Sequence, residues 1–167
     1  GALNYGHNND YIKEKLIDYL QKDGISHALD MYTGPKRDFI EYFEDNILKP
    51  RNLDYKLMFT GPTGTNAIEA ALKLARKVTK RTNIFALMGC FHGMEQLLAD
   101  DHSGVEKPAA LVLETIQAEG GIFPFDFEWL KRIEDFCHRH EILLIIDDIQ
   151  VGCGRSGAFF SFEKAGI

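Results

Sequence analysis

The sequence predicts an α/β fold with a mostly parallel sheet and flanking helices. Residues 109–114 (Ala-Ala-Leu-Val-Leu-Glu) and 142–147 (Ile-Leu-Leu-Ile-Ile-Asp) are short, continuously apolar runs. Such runs suit strands buried on both faces of a parallel sheet. They alternate with segments of helical period, the pattern of α/β architectures. The composition agrees: 167 residues, 45% hydrophobic and 26% charged, suffice for a substantial core and exclude collagen-like, disordered and low-complexity classes.

In chain order, Asp10 is the expected cap of a first helix that places Tyr11, Ile12, Leu16, Tyr19 and Leu20 at three-to-four-residue spacing, with Gly24 as its stop. A second helix is expected from Pro35, carrying Phe39, Ile40, Phe43 and Ile47 before Pro50. The period then changes. Residues 55–60 read as a strand, 61–65 as a tight loop and 66–79 as a helix whose Ala67, Ala70, Ala71 and Ala75 permit close approach to a sheet. Further strands are expected at 83–87, 109–114 and 142–147, with an amphipathic helix at 127–140 and a helical segment around Lys164.

The net charge is −6, from 25 acidic and 19 basic residues, which argues against a strongly electrostatic nucleic-acid binder. No apolar run approaches the roughly 20 residues that span a bilayer, so no membrane partner is expected. The opening residues show no charged-then-apolar leader pattern. Cys90, Cys137 and Cys153 are too few and scattered for a disulfide framework, so the expected compartment is the cytoplasm.

Ligands of open α/β sheets bind outside the carboxyl ends of the strands, so four loops concentrate the interest. In Gly61-Pro62-Thr63-Gly64-Thr65-Asn66, glycines let backbone approach a ligand, and the helix start offers N–H groups to a phosphate. The same loop also reads as a plain capped turn. A nucleoside-triphosphate loop would need Lys and then Ser or Thr after its last glycine, whereas Thr65-Asn66 follows Gly64. Phe91-His92-Gly93 could present a ring for stacking with a hydrogen-bonding neighbour, or simply pack. The stretch 114–121 sets Glu114 and Glu119 either side of a polar loop, which also reads as a solvated turn. Asp147 closes an otherwise apolar strand, where a carboxylate is costly without a partner. With Asp148 it could cap a helix or contribute to a metal site, although a hard cation needs more oxygen ligands than this pair. His138 and His140, two apart on a helix, do not face one another and read as surface residues.

Together, the phosphate-type loop running on into Ala67-Ile68-Glu69-Ala70-Ala71-Leu72-Lys73-Leu74-Ala75-Arg76, then Phe91-His92-Gly93, then 114–121, then Asp147-Asp148-Ile149-Gln150 with Gly152-Cys153-Gly154-Arg155-Ser156-Gly157 resemble the class III aminotransferases. These are fold-type I enzymes dependent on pyridoxal 5′-phosphate, and the motifs stand in that family's order. The resemblance implies a homo-oligomer (a dimer or a dimer of dimers) acting on small amino donors and acceptors. It further implies that Gly64 and Thr65 bind the cofactor phosphate, that Phe91 stacks on the pyridine ring with His92 beside it, and that Asp147 pairs with the ring nitrogen as the catalytic carboxylate. Gln150 would then hydrogen-bond the ring hydroxyl, Glu119 would gate amino donors by pairing with a later arginine, and Glu114 would lie near the cofactor.

Two departures stand out. The family's Schiff-base lysine belongs to a later strand-end loop beyond Ile167, and Lys164 follows Asp147 too closely to take its place. The family also has a long segment between Phe91-His92-Gly93-Met94 and a helix like Glu95-Gln96-Leu97-Leu98, whereas here Met94 adjoins Glu95. Residues 1–167 are therefore expected to be a partial large domain, lacking segments at its N-terminus, between 94 and 95, and after 167. A non-catalytic remnant is the competing expectation.

Overall fold

The computed structural model describes residues 3–28, 31–86, 91–100 and 102–167, the side chains of Phe91, His92 and Glu95 lying outside the described set. The chain divides into two compact units, Leu3–Phe59 and Thr60–Ile167.

The first unit is helical. Helix α1 spans Asp10–Gln21 and is capped by Asn9, whose side chain accepts from the Ile12 N–H at 3.3 Å. The cap thus falls one residue before the expected Asp10. That carboxylate sits in the first turn instead, where the helix's partial positive charge favours it. Beyond the helix, Asp23 takes the left-handed conformation and the Gly24 N–H donates to the Tyr19 carbonyl at 3.0 Å. Helix α2, Gly34–Phe43, starts at a Thr33 cap with Pro35 in its first turn. It does not stop before Pro50. The coil widens over Glu44–Leu48, where the Lys49 N–H reaches back five residues to Glu44, then tightens over Lys49–Arg51 and ends at a left-handed Asn52. Pro50 lacks an N–H and is accommodated by this change of pitch. Residues 55–60 form no strand. Strand pairing needs a neighbour with complementary backbone groups, and the described residues provide none here. Instead, Phe59 meets the Phe39 ring edge-on at 5.9 Å, with the Lys36 ammonium 4.9 Å from its centre.

The second unit is built on a three-stranded parallel sheet in the order β1-β2-β5, with β1 Ile84–Ala86, β2 Ala110–Leu113 and β5 Leu143–Ile146. Side chains alternate across a strand, so β2 feeds two cores. Ala110, with Ala109, packs on Ala75 of helix α3 (Gly64–Thr79), the close approach that small residues allow. Leu111 and Leu113 pack on Leu130, Ile133, Phe136 and Cys137 of helix α5 (Phe127–Arg139), which is capped by Asp126. Each large side chain buried in this way contributes about 1.5–3 kcal/mol. Helices therefore cover both faces of β2, which is why its run carries no alternating polar residues.

Three further differences from the expected elements follow. Residues 91–93, expected in a strand-end loop, belong to helix α4, Phe91–Ala99, which runs through Met94–Glu95 and buries Met94 in the α5 core. The stretch expected as a polar turn holds a small antiparallel hairpin, β3 Ile116–Gln117 with β4 Phe123–Pro124. The segment around Lys164 is a single tight turn, Ser161–Lys164, fixed by the Glu163 carboxylate accepting from the Phe160 N–H at 2.7 Å. At the opposite end of the sheet from those loops, Arg81 donates to the carbonyls of Pro108 and Glu141. Lys107, bonded at 3.0 Å, holds the Glu141 carboxyl below its ordinary range.

Candidate cofactor cleft

Sheet register brings the first two carboxylates of the site together. Leu113 faces Ile146 across the parallel ladder, so the next residues on each strand, Glu114 and Asp147, leave the sheet side by side at its carboxyl end. The Asp147 N–H continues the ladder, donating to the Leu113 carbonyl at 2.8 Å. Asp147 then opens a side-chain turn, its Oδ1 accepting from the Ile149 N–H at 3.0 Å. Its other oxygen has no hydrogen-bond partner among the described residues. Glu114 curls back to accept from the Ala118 N–H at 3.2 Å, which anchors the base of the hairpin that carries Glu119.

The third contribution comes from the head of α3. Thr63 caps the helix, its hydroxyl accepting from the Asn66 N–H at 3.3 Å. The helix begins at Gly64, two residues ahead of the expected start. The N–H groups of Gly64 and Thr65 precede the first intrahelical bonds and remain available to a ligand. Gly64 is required for close approach: a Cβ there would lie 2.8 Å from both Cδ1 and Cγ2 of Ile149. The helix head therefore rests directly on the Asp147 turn.

These elements enclose an open cleft of about 440 Å³. Gly64 and Thr65 line one side, Glu114 and Glu119 another, Asp147 and Gln150 a third, and Ile68 and Ile149 supply apolar wall. A neighbouring hollow of about 350 Å³ shares Glu114 and Asp147 and reaches Ala86, Val112, Gln117 and Gly120. The structure thus brings Gly64, Thr65, Glu114, Glu119, Asp147 and Gln150 to one place. Phe91 and His92 lie in the first turn of α4, and their side chains fall outside the described residues.

Among the described residues, the cleft lining carries three carboxylates and no lysine or arginine. That charge suits a cationic ring nitrogen at Asp147, and it leaves the α3 head as the place for an anionic group, through N–H groups and the helix's partial positive charge. The donor set therefore fits a molecule that is cationic at one end and anionic, as a phosphate is, at the other.

Sequence reasoning overlooked Ile68 and Ile149. Ile68 follows Gly64 by one helical turn, a signal that the helical period could have supplied. Asp148 proves not to be a partner of Asp147: it turns to Ser161, whose N–H it accepts at 2.8 Å. Among the described residues no group of three His, Cys, Asp or Glu side chains is placed to hold a metal ion. His138 is exposed, and the His140 ring rests against Phe136 at 4.6 Å.

Comparison with known proteins identifies the family. The model of the aminotransferase class-III family matches in two stretches, residues 1–103 and 94–167. The chain is 50% identical to the diaminobutyrate–2-oxoglutarate transaminase of Sporosarcina pasteurii, covering all of this chain and 49% of that protein. It is 49% identical to the protein of the same name from Virgibacillus pantothenticus, covering all of this chain and 50% of that one. The Sporosarcina alignment runs over 209 positions, 42 more than this chain has residues. The crystal structure of acetylornithine aminotransferase from Elizabethkingia anophelis superposes with a TM-score of 0.82 at 22% identity, covering 99% of this chain and 45% of that one, and so shares its fold. The chain spans about half the length of the curated relatives it matches. With the family model matching both stretches of the sequence and the motifs standing in that family's order, the chain belongs to the class III aminotransferases.

Proposed function

We propose that this chain forms the cofactor-cradling part of a transaminase dependent on pyridoxal 5′-phosphate. The reaction would move the amino group of L-glutamate to L-aspartate 4-semialdehyde, giving L-2,4-diaminobutyrate and 2-oxoglutarate, as in ectoine biosynthesis. The observation that carries the reading is the convergence of the α3 head, Asp147 and Gln150 on one cleft. The names of the relatives at about half identity print diaminobutyrate and 2-oxoglutarate, and glutamate and the semialdehyde are read as their partners in amino transfer.

Each residue's part follows from its chemistry. The Gly64 and Thr65 N–H groups, with the Thr65 hydroxyl, hold the phosphate. Asp147 keeps one oxygen on the Ile149 N–H and turns its negative charge to the ring nitrogen, favouring that nitrogen's protonated form. The bound cofactor supplies an electron sink for the carbanion left when the substrate's C–H proton departs. Gln150 donates to the ring hydroxyl. Glu119, at the exposed turn of the hairpin, screens incoming donors by the number of carboxylates they carry. Phe91 and His92 complete the ring's surroundings by resemblance alone.

The chain is read as part of a longer polypeptide. The split family match around 94–103 and the 42 additional aligned positions support a segment absent between Met94 and Glu95. No lysine in the chain has the context of the one that forms the Schiff base, so transamination belongs to the longer protein. That protein is proposed to be a cytoplasmic homo-oligomer. Helix α1 presents Tyr11, Ile12, Leu16, Ile17 and Leu20, all about half exposed or more, as apolar surface consistent with assembly. No described helix is long and apolar enough to cross a membrane.

The test is turnover by the full-length protein with cofactor. Diaminobutyrate should form from glutamate and the semialdehyde faster than product appears from acetylornithine, ornithine or 4-aminobutyrate with 2-oxoglutarate. Turnover confined to those other donors would reassign the substrate. Tight ATP binding without cofactor affinity would overturn the class of function.

A further inference from the structure

We propose that Thr115, Ser161 and Asp148 form a positioning clamp that holds the two cleft carboxylates, Glu114 and Asp147, in register. The proposal rests on the cleft reading above for its functional consequence. Its structural content stands separately.

Two of the clamp's members, Thr115 and Asp148, each sit one residue beyond a cleft carboxylate, and Ser161 joins them. In extended backbone, neighbouring side chains point to opposite sides, so Glu114 and Asp147 face the cleft while Thr115 and Asp148 turn inward. Thr115 and Ser161 are 4% and 6% exposed, and polar groups so buried need partners. The Thr115 hydroxyl donates to Ser161 Oγ, and the Ser161 hydroxyl donates in turn to Asp148 Oδ1. The Ser161 N–H donates to Asp148 Oδ2 at 2.8 Å. Each hydroxyl has one proton to give, and the carboxylate can only accept, so the chain of donation runs one way and ends on Asp148 with both its oxygens engaged.

The backbone fixes each of the two loops separately. The Phe125 N–H donates to the Thr115 carbonyl at 3.0 Å, and the Gly152 N–H to the Asp148 carbonyl at 2.8 Å. A Cβ at Gly152 would stand 2.9 Å from that carbonyl oxygen and 3.1 Å from Asp148 Oδ2, so only glycine leaves the carboxylate where Ser161 meets it. The loop after β2, the loop after β5 and the closing turn of the chain are therefore tied through one serine. Each tie acts directly behind a residue that lines the cleft, which makes Thr115, Ser161 and Asp148 positioning residues.

Thr115→Val removes the hydroxyl at nearly constant shape, Thr115→Ser restores it, and Ser161→Ala provides an independent break. Two readouts are taken on the chain. One is amide hydrogen exchange at Ile149, whose N–H is held by Asp147. The other is affinity for pyridoxamine 5′-phosphate, which has ring, hydroxyl and phosphate but no aldehyde to label surface lysines. Thr115→Val and Ser161→Ala should each speed Ile149 exchange about tenfold and weaken the probe about tenfold, while Thr115→Ser stays within twofold of the parent. The amides of α5 should keep their protection. Unchanged Ile149 exchange in Thr115→Val, or a Thr115→Ser variant as impaired as Thr115→Val, would overturn the clamp. Loss of protection across α5 as well would reduce it to general packing and overturn it too. A parent chain that fails to bind the probe would count against the cofactor reading, with the exchange result still deciding the clamp.

Discussion

Gly64→Ala isolates what the close contact between α3 and the Asp147 turn does. The added Cβ would sit 2.8 Å from Ile149 Cδ1 and Cγ2, so the Ile149 side chain must retreat by roughly 1 Å to reach ordinary contact. Overpacking of this kind costs about 1–3 kcal/mol. Ile149 is 43% exposed and can swing toward solvent, which places the cost near the lower bound. Alanine gains up to about 1 kcal/mol over glycine in helix propensity. The two effects nearly cancel, and the denaturation midpoint should barely move. The cleft does not escape so easily, because the Ile149 N–H anchors Asp147. Affinity for pyridoxamine 5′-phosphate, followed by its fluorescence, should fall about tenfold, or ~1.4 kcal/mol. Adding Ile149→Ala removes the clashing atoms and should restore most of the loss. Wild-type affinity in Gly64→Ala, or a loss that Ile149→Ala does not relieve, would refute the reasoning.

Other expected outcomes follow from the same geometry. Asp147→Asn removes the fixed charge while keeping the shape. It should weaken the same probe by about 10- to 100-fold, since a hydrogen bond to a charged group contributes about 1.5–3 kcal/mol, and titration of the bound ring by nitrogen NMR should show its pKa lowered. Burial, with a smaller contribution from nearby Glu134, pushes the Cys137 thiol up to about 12, whereas Cys153 is exposed. Iodoacetamide at pH 8 should label Cys153 in the native chain and Cys137 only after denaturation, as read by peptide mass spectrometry. The sign of the linked stability follows: the folded state holds the Cys137 proton more tightly than the unfolded state, so this contribution is intact below the ordinary thiol range and declines from about pH 9 towards 12. Phe136 is fully buried, and Phe136→Ala should cost about 3–5 kcal/mol in urea denaturation.

The sequence revealed most clearly what depends on local pattern. Uninterrupted apolar runs marked β2 and β5 because both are buried on both faces, and α5 announced itself through Leu130, Ile133, Phe136 and Cys137 on one stripe. Gly64, Thr65 and Asp147 drew notice because each stands at a strand end or helix start, where the fold class itself directs attention, whereas Gln150 was singled out only by the family resemblance. What escaped depends on partners far away in sequence. Residues 55–60 have strand-forming composition, yet among the described residues no neighbouring strand joins them. The β3–β4 pairing sets Ile116 against Pro124, and two-residue strands leave no periodicity to detect. Asp148 read as half of an acidic pair because its true partner, Ser161, is 13 residues away, and nothing in the spacing announces it.

The sheet also decides how the isolated chain can be handled. β1 and β5 flank β2, and among the described residues neither is paired on its outer side. The outer edge of β5 is Leu-Leu-Ile-Ile, without the proline or lysine that natural edge strands use to discourage pairing with other molecules. Self-association of the isolated chain should therefore rise with concentration, and more steeply in salt, which screens the mutual repulsion of a net charge of −6. Dilute, low-salt buffer is the condition in which its binding measurements will report on single molecules.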